Sequence, residues 1–243
     1  MATMLPIRQW SRIGAMNIQA LSGFKEYVNK QILPASSDVS NLDERSRKHV
    51  QKLIYASLVD QFDSMVDAMI LENCRSEHLV ERATAGMTQQ ITEADLLKLL
   101  MQSGNIQDAV DEKLRMALRN SVLRVRHSKK LAALLRALEV TLDYQNKPKV
   151  NVNTGHVIEK MKPFRKTIPH SICGYADWLY SRRNAVVHST GTSFLENDRV
   201  QLKKLYNCEP AKKLVVKLSS VRMAAIFYND VVSILEQAAV EIS

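Results

Sequence analysis

The chain has 243 residues, with 34 Lys and Arg against 25 Asp and Glu, a formal charge of +9. Its 46% hydrophobic content excludes disorder as the dominant state. Seven scattered Gly and six Pro exclude collagen-like and low-complexity chains and argue against a loop-rich all-β protein.

Most of the chain reads as helix. Residues 16–32 carry Met16, Leu21, Phe24, Val28 and Ile32 at helical spacing. The strongest element is 43–73, where Asp43 is an N-cap and Val50, Ile54, Leu58, Phe62, Met65 and Met69 form an apolar stripe. Asp60, Asp63 and Asp67 share its other face and read as solvated. Further helices are expected at 92–102, 106–120 and 128–142. Val150–Asn153 and Leu214–Leu218 are short enough to be, at most, one or two very short strands. A helix from Ser171 to about His188 ends in Ser189-Thr190-Gly191, and the last runs from Ser219 or Ser220 to about Val240. The expected fold class is all-α: one helical domain over 1–243, with 76–165 as an insertion or second helical lobe.

No apolar run approaches the roughly 18 residues of a membrane-spanning helix, and Met1 to Gly14 lacks the apolar core of a secretory signal. No membrane partner is therefore expected. The three cysteines, Cys74, Cys173 and Cys208, form no Cys-x-x-Cys pair, which suits a reducing, cytoplasmic setting and buried thiols. The charge is uneven. Residues 38–95 hold six basic and eleven acidic side chains, whereas 113–222 hold 23 basic and seven acidic. A basic half favours a polyanionic partner, most commonly nucleic acid.

Several chemistries have no residues to carry them. The glycines never cluster into a phosphate loop, there is no His-Glu-x-x-His, and no Gly-x-Ser-x-Gly elbow occurs. No metal and no cofactor is expected.

One constellation stands out: Trp178-Leu179-Tyr180-Ser181-Arg182-Arg183-Asn184-Ala185-Val186-Val187-His188-Ser189. Helical spacing puts Arg183 on the apolar stripe of Ile172, Tyr175, Leu179 and Val186, where an arginine is costly unless paired, for instance with Asp63 or Asp177. Cleavage of RNA by its own 2′-hydroxyl needs a proton acceptor, a proton donor and cationic stabilisation of the phosphorane, and no metal. His titrates near neutral pH, and Arg matches phosphate oxygens in a fork. Arg183 and His188 lie ~140° apart around the helix and ~7.5 Å along it. One helix is thus a poor complete site, and two across a two-fold axis make a compact one. Arg-Asn-x-x-x-His is expected by chance only roughly 0.02 times in this composition. A second Arg-x4-His, Arg165 to His170, spans Pro169 and is a decoy.

The segment Arg183-Asn184-Ala185-Val186-Val187-His188 resembles the Arg-Asn-x-x-x-His signature of HEPN domains (higher eukaryotes and prokaryotes nucleotide-binding). Residues 56–66 are similar to their long early helix, which often carries an acid near the position of Asp63, and 219–240 to their final helix. The general look is that of the branch found in bacterial defence and toxin–antitoxin systems. Family members often have Gly after the His, where Ser189 stands here. The resemblance covers roughly 43–75 and 170–240. It implies a HEPN-like up-and-down helical bundle, a homodimer joined through the 171–188 helix, and a metal-independent endoribonuclease acting as a toxin or antiviral effector, with an antitoxin or defence protein as partner. By carry-over Arg183, Asn184 and His188 are catalytic, and Asp63 is an auxiliary acid.

The basic run from Lys113 to Arg136 has no acidic residue and is the candidate RNA-tracking surface, with Arg119, Arg124, Arg126, Lys129 and Lys130 at its centre. Arg182 and Tyr180 join it as candidate substrate contacts beside the motif. Two other readings stand against the ribonuclease: a non-catalytic HEPN-like module for RNA or nucleotide binding or assembly, and a basic helical DNA-binding protein.

Overall fold

The computed structural model describes residues 18–85, 92, 94, 97–98, 101, 106–164, 166–188, 192–211 and 213–242. Its all-α architecture is built around one long helix. Asp43 starts that helix: its carboxylate accepts hydrogen bonds from the Arg45 and Ser46 backbone N–H groups at 3.0 and 3.1 Å, satisfying two donors the helix leaves orphaned. In chain order the helices are α1 (Gln19–Tyr27), α2 (Leu33–Asp38), α3 (Glu44–Glu72), α4 (Glu77–Thr84), α5 (Ile106–Ser121), α6 (His127–Ala137), α7 (Ile172–His188), α8 (Glu196–Tyr206) and α9 (Leu218–Ile242). A π-helical turn, Val28–Ile32, joins α1 to α2. Pro34 follows it, and the widened turn accommodates a residue that removes one helical donor and crowds the preceding carbonyl.

α3 packs against α1, α6, α7 and α9, and α7 is flanked by α6 and α8. At their centre the Phe62 ring stacks on Tyr228 at 4.0 Å, and Phe24 meets Phe62 edge-on at 5.5 Å. Tyr55 of α3, fully buried, donates its hydroxyl to the Leu179 carbonyl of α7 at 3.0 Å. This bond fixes α7, whose end carries the Arg-Asn-x-x-x-His segment, to α3. Leu79, Ala83, Leu114, Leu118 and Leu131, from the region expected as a separate lobe, belong to the same contiguous core as Phe62 and Tyr228.

Several boundaries differ from expectation. The helix expected over 128–142 stops at Ala137, where Leu138 leaves helical geometry and Glu139 turns to φ 50°. α4 and α8 were not expected: α4 is only eight residues long, too short for a repeated apolar stripe, and α8 carries few buried side chains. Val150 forms only an isolated antiparallel bridge with Val157, and Leu214–Leu218 is not a strand. The helix expected at 92–102 and the Ser189-Thr190-Gly191 stop lie largely or wholly outside the described residues.

The C-terminal helix changes one further expectation. By length and composition its segment Leu218–Glu241 suffices to cross a membrane, with a mean hydropathy of 1.2. Here it is a core helix: Val221, Ala224, Phe227, Tyr228, Val231 and Leu235 are fully buried, and Glu236 pairs with Lys25 of α1.

Candidate functional site

α7 is not the one-sided amphipathic helix that its apolar stripe suggests. From Ile172 to Leu179 every residue is buried, so the helix starts as a rod through the core and emerges only in its last turns. Tyr180, Arg183, Asn184 and Val186 are intermediate, and Val187 and His188 are exposed. The emerging end carries the whole Arg-Asn-x-x-x-His segment, and His188 is the last helical residue, where the helix dipole favours a cation.

Arg183, Asn184 and His188 come together there. The partner of Arg183 is Asp60, rather than Asp63 or Asp177: Nε lies 2.6 Å from Oδ1 and Nη2 donates to Oδ2 at 3.0 Å. Its remaining nitrogen, Nη1, donates to Asn184 Oδ1 at 3.3 Å and sits 3.5 Å from His188 Nε2. Asn184 is clamped from behind, with Nδ2 donating to Asp198 Oδ2 of α8 at 3.2 Å. Because a carboxylate only accepts and a guanidinium only donates, the two partners fix which way the Asn184 amide faces. The result is a guanidinium held from one side by a carboxylate, with one edge directed at an exposed imidazole.

Behind Asn184 lies a second polar layer. Arg126 Nε is 2.5 Å from Asp177 Oδ2, its Nη1 is 3.3 Å from Asp198 Oδ1, and its Nη2 donates to Ser181 Oγ at 3.1 Å. Tyr206 of α8 adds its hydroxyl to Asp177 Oδ2 at 3.2 Å, while Asp177 Oδ1 is buried without a partner. Burial works against the Arg126 charge, but Asp177 and Asp198 outweigh it and raise its pKa.

A third layer lies on the α3–α6 side. His127 Nδ1 is 2.5 Å from Asp63 Oδ1, and Lys130 Nζ is 2.7 Å from the carboxylates of both Asp63 and Asp67. Burial pushes the Asp63 carboxyl up, but His127 and Lys130 together hold it down at about 2. Desolvation raises the pKa of Asp67 despite Lys130. The Tyr180 ring stacks on His127 at 5.0 Å, and the Arg183 guanidinium carbon lies 5.9 Å from the centre of the Tyr180 ring.

These layers revise the expected roles. Arg182 is no surface cation: it is buried, stacks 4.6 Å from Trp178 and 5.2 Å from Tyr55, and donates to the Val215 carbonyl at 2.8 Å. Arg126 and Lys130 are committed to internal carboxylates, which removes them from the expected phosphate-tracking surface. Tyr180 already stacks on His127. Of that surface Arg119, Arg124 and Lys129 remain exposed, with Arg119 3.5 Å from Glu112. Asp63 belongs to His127 and Lys130, and Asp60 is the acid beside Arg183. The aspartates of α3 are therefore ion-paired rather than a solvated face.

Sequence reasoning missed Asp60, Asp198 and the Arg126–Asp177 pair. Asp60 had a signal, since an arginine on an apolar stripe demands an acid, but spacing could not choose among Asp60, Asp63 and Asp67. Asp198 had none, because it sits on the unexpected helix α8. Among the described residues, no group of three or more His, Cys, Asp or Glu is placed to hold a metal ion. No family model matches the chain, and neither a curated protein nor a solved structure matches it.

Proposed function

We propose that the chain is a metal-independent endoribonuclease of HEPN type, working in the cytoplasm as a homodimer with a composite Arg/His site, in the role of a toxin or antiviral effector. The observation that carries this reading is the Arg183 edge directed at His188, 3.5 Å away, on the emerging end of α7. A guanidinium held against Asp60 by its Nη2 hydrogen bond and the Nε ion contact offers a directional cation to a phosphate oxygen. The exposed imidazole beside it is a group that can both accept and donate a proton.

In the reaction the RNA 2′-oxygen attacks phosphorus, one histidine takes the 2′-hydroxyl proton, and the P–O5′ bond breaks. A second histidine gives its proton to the departing 5′-oxygen, leaving a 2′,3′-cyclic phosphate. One chain supplies one such imidazole, and a two-fold arrangement of α7 ends supplies the other. Arg183 stabilises the phosphorane, and Asn184, clamped by Asp198, positions it. Arg124, Lys129 and Arg119 supply sequence-independent phosphate contacts. An antitoxin or defence protein would hold the activity in check.

The non-catalytic reading draws on the same Asp60, whose charge offsets that of Arg183 and leaves a binding rather than a cleaving site. One assay separates the two. With EDTA present, the wild-type chain is expected to cut single-stranded RNA to 2′,3′-cyclic ends, and His188→Ala and Arg183→Ala each to lose about 100-fold or more. Cleavage that survives both substitutions refutes the assignment, and RNA binding without cleavage supports the non-catalytic module.

A further inference from the structure

A groove of about 440 Å³ opens at the buried end of α7, between residues 145–148, Pro163 with the 166–171 segment, and the C-terminal end of α8. That volume is in the range of small-molecule sites. Its walls are tied together by backbone. The Lys149 and Val150 N–H groups both donate to the His170 carbonyl at 2.8 Å, Cys173 N–H donates to the Tyr144 carbonyl at 2.9 Å, and Glu209 N–H donates to the Lys166 carbonyl at 3.2 Å. Gly174 lets one wall close: a Cβ there would stand 2.7 Å from Pro169 Cβ and 3.1 Å from the Tyr206 ring. Tyr206 is further held by its hydroxyl bond to Asp177. The groove is thus pre-formed, which limits the ordering cost of filling it.

Its lining has a definite chemistry. Lys166 and Lys204, both exposed, line it; among the described residues neither has an ion-pair partner and no carboxylate lines the groove. Ile168, Pro169 and the Tyr206 ring give an apolar wall, and Asn146 an amide. Phe164, a large apolar residue left 50% exposed, stands beside the groove with its ring edge-on to His170 at 5.2 Å. Unpaired cations next to exposed aromatic surface suit an anion that carries a flat ring. An ordinary solvated lysine surface would need neither the apolar wall nor the exposed phenylalanine.

From this we infer that the groove binds a phosphorylated ligand with a flat ring, the chemistry of a nucleoside monophosphate, either free or as one unit of a single strand. Lys166 and Lys204 take the phosphate, and Phe164 and Tyr206 the ring. The site is separate from Arg183 and His188 and does not rest on the ribonuclease reading.

Isothermal titration of the full-length chain with AMP, ribose 5-phosphate, inorganic phosphate and a deoxyadenosine hexamer tests it, the hexamer lacking the 2′-hydroxyl needed for cleavage. AMP is expected to bind with a Kd below about 1 mM. Lys166→Ala/Lys204→Ala weakens it by about tenfold or more, and Phe164→Ala weakens AMP by about fivefold while leaving inorganic phosphate unchanged. Binding of AMP identifies a free nucleotide as the source. Binding of the hexamer alone, lost in the double lysine variant, identifies a strand. If neither ligand binds at millimolar concentration, or if binding survives the double lysine substitution in a variant that melts like wild type, the inference is wrong.

Discussion

Replacing Arg126 by Met leaves Asp177 in a difficult place. The Asp177 side chain is 0% exposed, and its Oδ1 already lacks a partner. Removing the guanidinium strips Oδ2 of its 2.5 Å ion pair and leaves only the Tyr206 hydroxyl. Breaking one side of a buried pair costs about 3–5 kcal/mol, because the stranded charge keeps its desolvation penalty. For a chain of this length each kcal/mol lowers Tm by about 2–4 °C, so Arg126→Met is expected to melt about 6–20 °C below wild type. The control is the double variant Arg126→Met/Asp177→Asn, in which the stranded charge is gone. It is expected to recover more than half of the loss. Thermal melts followed by far-UV circular dichroism, with denaturant titrations for the free energies, measure both. A single variant within about 1 kcal/mol of wild type, or a double variant no more stable than the single, refutes the view that Asp177 depends on Arg126.

Two other outcomes follow from described geometry. Asp63 is held at about 2 against an ordinary value of 3.8, so its stabilisation is complete above pH ~4 and is lost as the pH falls toward 2. That contribution is about 2 kcal/mol, partly offset by Asp67, whose raised pKa works in the opposite sense. Asp63→Asn is expected to flatten this acid limb in denaturant titrations at successive pH values, and an unchanged limb counts against the assignment. Gly155 has φ +89°, and a Cβ there would stand 2.1 Å from the Met223 carbonyl oxygen. Gly155→Ala is expected to cost about 2 kcal/mol or more, and a melt indistinguishable from wild type would show that the 151–157 turn does not press on α9.

Much of this architecture was legible in residue spacing. α3, α5, α7 and α9 have long apolar periods, and the Asp43 cap was readable because its side chain acts on its own helix. What failed was anything set by tertiary partners. α7 read as amphipathic because its small and polar residues, Gly174, Ala176 and Ser181, resemble a solvent face; here they are buried contacts for other helices. Arg182 and Arg183 are chemically identical neighbours, yet one closes a buried stack on Trp178 and the other meets an acid at the surface. The side on which each falls depends on Asp60 and on Val215, which spacing within one helix does not reveal. The same blindness put Arg126 and Lys130 on an external basic track, since a run of cations carries no mark of the carboxylates that fold back onto it.

The Asp60–Arg183 bond joins residues separated by 123 positions, and Asn184 is steadied by a helix that follows it in the chain. Closing a loop of that length is an entropic cost met by the surrounding core, to which α9 contributes Val221, Tyr228 and Leu235. The cluster therefore forms with the core and not ahead of it, and a short peptide spanning 183–188 lacks both the acid and the amide clamp that shape it.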